Sequence, residues 1–177
     1  MPRIPYLPQD ISEPADIVSA MRKRRGGTLN EADRITLYAP AFAQGWNLMA
    51  RAVRQELSLS PKLRELAICS VGALNGADYE VDTHSPHFFK AGGTEMQVKA
   101  LRNFSAAMED AALFDAAERA TMRLTLEMTR NVVVSDETFA AVRAALPSPQ
   151  QVVELVGTIA FYNMIARFLV ALEVNHE

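Results

Sequence analysis

The sequence predicts an all-α fold, and three observations carry that prediction. Apolar residues recur near 3.6-residue spacing along most of the chain. Helix start and stop signals punctuate it: capping residues before proline, and glycine after a last polar residue. No long segment of alternating apolar and polar residues bounded by turn signals occurs. The expectation is a single domain over residues 1–177, with about eight helices.

Composition narrows the function classes. Hydrophobic residues make up 49% and charged residues 22%, so the chain can build an ordinary buried core. The net charge of -3 comes without a block of one sign, which argues against a nucleic-acid partner. A single cysteine excludes an intrachain disulfide and a cysteine-based zinc site, and fits a cytoplasmic protein. The opening MPRIPYLPQD has no apolar run of the kind a secretory signal needs. The longest apolar tract, Val152 to Val174, is interrupted by Glu154, Asn163, Arg167 and Glu173. Charges so placed predict a buried helix and no membrane partner.

Residues 1–13 hold Pro2, Pro5 and Pro8, with Pro14 following, and predict an extended arm, either frayed or used in subunit contact. Ser12 is placed to cap a helix from Pro14 to Gly26-Gly27. Its last turn carries Arg22, Lys23, Arg24 and Arg25, either cations at a helix C-terminus or an anion or partner site. Thr28 is expected to cap a short helix over Glu31–Tyr38, broken by Ala39-Pro40. From Ala41 to Leu57, Phe42, Trp46, Leu48, Met49, Val53 and Leu57 predict an amphipathic helix whose Trp46 is a core residue or a pocket wall.

The stretch Leu59–Gly93 is the centre of the prediction. Ser60-Pro61 starts a helix that Asn75-Gly76 ends, and nearly every residue from Leu66 to Leu74 is apolar, so this helix is buried on most sides. Only Gly76 and Ala77 precede the next helix, whose first turn holds Asp78 and Glu80 and which closes at Gly92-Gly93. The result is an antiparallel hairpin, with Pro86 expected to kink its second arm. Thr94 and Gln97 form a capping box for the helix that follows. Asn103 to Asp110 reads as a loop or frayed turn, Phe114 to Arg130 as a long helix, and Val132-Val133-Val134 as a connector. Ser135 and Ser148 cap the last two helices.

Glu80, His84 and His87 stand at i, i+4 and i+7, on one helical face. Three readings fit: a solvated face with a Glu–His pair, a zinc or iron site needing Glu65 as a further ligand, or an acid–base set. In the last, Glu65 reaches His84 from the preceding helix, giving a Glu–His–Glu cluster; burial raises a carboxyl pKa and a neighbouring carboxylate raises that of an imidazole. No fourth metal ligand is evident, so neither a metal nor a cofactor is predicted. Cys69, one turn past Glu65, reads as a small core residue.

The hairpin resembles the carboxymuconolactone decarboxylase and alkylhydroperoxidase D-like family. The residues that carry the likeness are Leu59-Ser60-Pro61, Leu63-Arg64-Glu65-Leu66, Asn75-Gly76-Ala77-Asp78-Tyr79-Glu80, His84 and Ala91-Gly92, with Tyr162-Asn163 and Arg167 similar to a subgroup. The resemblance implies an alkylhydroperoxidase D-like helical domain built around this hairpin, assembled as a homo-oligomer, a trimer or hexamer. The family's peroxidase branch has a glutamate, eleven residues, Cys-x-x-Cys, three residues and a histidine. Here the glutamate and histidine fall on Glu65 and His84, and the two cysteines fall on Ala77 and Glu80. Without a thiol pair at a helix N-terminus, thiol peroxidase chemistry has no nucleophile.

The decarboxylase branch also lacks the thiols. That likeness implies a lyase that decarboxylates or isomerises a small carboxylated or lactone substrate. Glu65, Glu80 and His84 are then the acid–base residues, and Tyr79, His87, Asn163 and Arg167 the substrate-binding ones. Arg167 or Arg64 is a candidate to hold a carboxylate, while an ion pair of Arg167 with Glu65 or Glu80 is the structural alternative. Two other functions stay open: an alkylhydroperoxidase-like peroxidase working without those thiols, and a non-catalytic small-molecule-binding oligomer.

Overall fold

Proline, glycine and short polar side chains set the helix boundaries in the computed structural model, which describes residues 1–177. Ten α-helices and one 3-10 turn result, with no strand. The backbone divides into two compact units, Met1–Leu57 with Ala171–Glu177, and Ser58–Val170.

The first unit contains α1 (Ala15–Arg25), α2 (Glu31–Thr36) and α3 (Pro40–Gln55). Ser12 does not cap α1: Pro14 is the N-cap residue, and the Glu13 carboxylate accepts the Ala15 N–H at 3.1 Å. Gly26, at φ +83°, ends the helix in the left-handed conformation that glycine tolerates. Asn30, not Thr28, caps α2: its side chain accepts Asp33 N–H and the Asp33 side chain completes the capping box. The break at Ala39-Pro40 separates α2 from α3, with Ala39 at the N-cap and Pro40 in the first turn of α3. The buried face of α3 is Ala43, Trp46, Asn47, Ala50 and Val53, whereas Phe42, Leu48 and Met49 are exposed. Small residues, unmarked by hydrophobicity alone, decide which face turns inward.

The basic run is internal scaffolding. Arg22 donates to the carbonyls of Gln9, Ile11 and Gly27. Arg24 reaches Asn47 at 2.6 Å and Asp33 at 2.8 Å, and Arg25 takes the other Asp33 oxygen at 2.8 Å. Burial lowers the Arg24 pKa, and the fully enclosed Asp33 carboxylate opposes it. The proline-rich arm is tied down within its own chain: Arg3 N–H bonds the Leu172 carbonyl at 2.9 Å, and Tyr6 hydroxyl the Asn175 carbonyl at 2.7 Å. Arg34, under the Tyr6 ring, pairs with Glu177.

The second unit runs through α4 (Pro61–Asn75), α5 (Asp78–Lys90), α6 (Glu95–Ala100), a 3-10 turn (Leu101–Asn103), α7 (Phe104–Glu109), α8 (Ala116–Arg130), α9 (Asp136–Ala145) and α10 (Pro149–Leu172, its last two residues counted with the first unit). Helix α4 packs mainly on α5 and α8, as its apolar circumference requires. At its start the Ser60 side chain makes no cap; Glu154 of α10 instead accepts Leu59 N–H at 2.8 Å and Ser58 hydroxyl at 2.9 Å. The expected loop at Asn103–Asp110 is instead α7, because Phe104, Ala107 and Met108 bury into a cluster with Leu66, Phe88, Phe114 and Met122. Phe114 belongs to that core and precedes α8, which Asp115 caps with Glu118 as its box partner. These added short elements raise the count above the expected eight.

Helix α10 is the one helix long and apolar enough to cross a bilayer, yet half of its most apolar window is buried in protein. Leu155, Ile159, Ile165 and Leu169 pack inward, while Val153, Met164 and Val170 remain exposed.

Candidate functional site

The hairpin's geometry starts at Gly72. A Cβ there would lie 2.9 Å from Val81 Cγ2 and 3.4 Å from both Glu80 Cβ and the Ala77 carbonyl, so the absent side chain lets α5 press onto α4. Gly76, at φ +65°, makes the turn between them. The continuous α5 runs through Pro86 without a break.

Close packing brings Glu65 and His84 together. His84 Nδ1 lies 2.7 Å from Glu65 Oε2, and both residues are buried. Glu65 Oε1 accepts two N–H groups of Arg64, at 3.2 and 3.1 Å. A carboxylate paired with a guanidinium accepts hydrogen bonds, so the geometry assigns the proton of neutral His84 to Nδ1. Nε2 then carries the lone pair. It lies 3.5 Å from Glu80 Oε2, one helical turn earlier on α5. The result is a chain Arg64–Glu65–His84–Glu80 with a basic nitrogen and a carboxyl group at its end.

Tyr162 of α10 packs against the imidazole. Its ring meets His84 edge-on at 5.1 Å, and Phe161 packs edge-on against Tyr162 at 5.5 Å. The sequence marks Tyr162 only through its likeness to a family subgroup; in an almost wholly apolar helix nothing else distinguishes it from a core aromatic. His87 is exposed, with its ring 5.9 Å from that of His84; Tyr79 is buried at the start of α5.

Asn163 and Arg167 lie elsewhere in the second unit. Asn163 donates to Thr129 Oγ1 at 2.9 Å and the Ile159 carbonyl at 3.1 Å, and accepts from Asn75 Nδ2 at 3.2 Å. Arg167 donates to Asn163 Oδ1 at 2.7 Å and to the Thr129 carbonyl at 3.4 Å. Arg130 bonds the Leu74 carbonyl beside them. This network ties the C-terminal ends of α4 and α8 to α10, at the opposite end of α4 from Glu65. Arg167 forms no ion pair with Glu65 or Glu80.

Cys69 is fully buried. Burial first, then the Glu65 charge, pushes its thiol up to about 12, against a lowering hydrogen bond from Ser85. It is a thiol at neutral pH, and the chain has no second cysteine.

The helical hairpin, with a glutamate on one arm bonded to a histidine on the other, sits in an alkylhydroperoxidase D-like fold. Residues 40–123 match the Carboxymuconolactone decarboxylase family. Solved structures share the fold. A peroxidase-related protein with an alkylhydroperoxidase AhpD core, from Ralstonia eutropha JMP134, superposes with a TM-score of 0.80 at 15% identity, over 99% of this chain and 92% of that one. A peroxidase-related protein from Silicibacter sp. TM1040 gives 0.78 at 17% identity, over 97% and 90%. The debrominase Bmp8, solved with 2,3,4-tribromopyrrole, gives 0.78 at 16% identity over the same shares. No curated protein matches the sequence.

Proposed function

We propose that this protein is a thiol-independent acid–base enzyme acting on a small lactone or carboxylated lactone, by decarboxylation or isomerisation. The observation that supports it is the oriented chain Arg64–Glu65–His84–Glu80. Arg64 pairs with Glu65, Glu65 orients the His84 ring through Nδ1, and Nε2 lies 3.5 Å from Glu80. Between them, Glu80 and His84 can take a proton from a carbon acid or deliver one to the carbanion left by carbon dioxide. Tyr79 and His87, on the same helix, are the proposed substrate contacts. Asn163 and Arg167 are proposed to act at longer range, through the network that fixes α10 and therefore Tyr162.

The test is turnover of 4-carboxymuconolactone, read as carbon dioxide release, and of a β,γ-unsaturated butenolide, read as double-bond migration. H84A and E80Q are expected to lose at least about a hundredfold on whichever substrate reacts. Turnover that survives in H84A sinks the reading. Peroxide reduction is expected to be absent or unchanged in C69S, since its buried thiol is protonated and unpaired.

We also propose a homo-oligomer. The exposed Val153, Met164 and Val170 of α10 support it, as apolar groups a partner copy would cover. Light scattering on V153E M164E against the parent reads it out. A cytoplasmic location is proposed on the single reduced cysteine.

A further inference from the structure

Hydroxyls inside helices ordinarily return their hydrogen bond to the preceding turn. Here Ser85 bonds the Val81 carbonyl at 2.6 Å, Thr125 the Thr121 carbonyl at 2.8 Å and Thr158 the Glu154 carbonyl at 2.7 Å. Thr83 Oγ1 does not: it is shut off from solvent with no hydrogen-bond partner. Ser70 Oγ shares that state, but its position lies about 140° around α4 from Glu65, away from the hairpin contact. Thr83, by contrast, is three residues after Glu80 and four before His87, so it emerges about 60° from Glu80 and about 40° from His87 around α5, with His84 about 100° away. A buried hydroxyl without a partner is destabilising, so its persistence beside a reactive pair has a direct explanation in a ligand that supplies the missing bond.

We propose that Thr83 is a substrate-binding residue whose hydroxyl donates to the carbonyl oxygen of a carbon acid deprotonated by Glu80. This rests on the acid–base reading above and adds to it the oxygen-side contact and the substrate class, a small ring carbonyl compound with a C–H bond next to the carbonyl. The C–H bond breaks, its proton goes to the Glu80 carboxylate, and its electron pair moves onto the carbonyl oxygen, giving an enolate held by the Thr83 O–H. Return of the proton from Glu80 to either end of the enolate system balances the reaction. A donor aimed where charge develops stabilises the transition state more than the ground state.

The experiment uses the full-length protein, ¹⁵N-labelled at histidine, titrated with γ-butyrolactone and with cyclopentanone while the His84 ring signals are followed. T83V keeps the shape and removes the hydroxyl; T83S keeps the hydroxyl; S85A removes a hydroxyl that has a partner. The expected result is that both carbonyl probes shift His84 in wild type, that T83V weakens them about tenfold and T83S less than threefold. T83V is also expected to melt at or above the wild-type temperature, while S85A melts below it. Equal probe affinity in T83V and wild type overturns the proposal, as does a wild-type protein that takes neither probe, or a T83V melting loss as large as that of S85A. The acid–base reading fails separately, through turnover retained in H84A.

Discussion

The Nδ1 atom of His84 sits 2.7 Å from Oε2 of Glu65, whose other oxygen is held by Arg64. One carboxylate therefore settles both the orientation and the tautomer of the imidazole. Replacing Glu65 with Gln removes the charge and keeps the shape. Urea unfolding should then lose about 2 kcal/mol, the usual scale for a hydrogen bond to a charged group. The ¹⁵N shifts of His84 should move away from the Nδ1–H tautomer. An unchanged tautomer in E65Q would remove Glu65 from the proton path.

Gly72 sets how closely the two arms approach. In G72A the new methyl meets Val81 Cγ2 at 2.9 Å and Glu80 Cβ at 3.4 Å. Overpacking of this kind costs about 1–3 kcal/mol, measurable as a lower urea midpoint. Because Glu80 is one of the displaced groups, G72A should also depress activity by more than its stability loss accounts for. G157A is the comparison, since a Cβ at Gly157 meets nothing within 4 Å.

Cys69 gives a pH prediction of its own. With its thiol pushed up to about 12, native protein at pH 8 should react with iodoacetamide at a rate limited by unfolding, and urea should release the full reactivity of a free cysteine. Fast labelling of the native protein would show the helix pair to be open.

Glu127 ties α8 to α9. It accepts the Thr138 hydroxyl at 2.6 Å and the Ser135 N–H at 2.7 Å, which hold its pKa below the ordinary value. A carboxyl depressed in the folded state contributes stability that is present above the unfolded pKa and lost as pH falls through the folded one. E127Q should therefore be less stable than wild type at pH 6, and the gap in melting temperature should narrow as the pH falls below the ordinary glutamate value of about 4.3. A gap that stays constant with pH would assign the effect to packing.

The hairpin was legible because its signals are local. Ser60-Pro61, Asn75-Gly76 and the spacing of Glu80 and His84 are each read within a few residues, and the structure has those boundaries at α4 and α5. The Glu65–His84 contact was legible too, since two antiparallel helices joined by so short a turn leave few registers. The misreadings have a different source. Asn30 displaced Thr28 as a cap through its pairing with Asp33, and Phe104 drew a supposed loop into the core as α7. Tyr162 stands beside Asn163 in a pattern similar to a family subgroup, but that pattern does not reveal its contact with His84, and Thr83 becomes notable only when its missing partner is seen.

The bond from Arg3 N–H to the Leu172 carbonyl, with the Tyr6–Asn175 pair beside it, brings the two ends of the sequence into contact. In connectivity the chain is almost a closed loop. A short peptide joining its ends would leave the unfolded ensemble smaller at little cost to the folded state. New termini could then be opened between the exposed Val132 and Val133, where Val132 already adopts a left-handed φ of +65° that a β-branched residue resists.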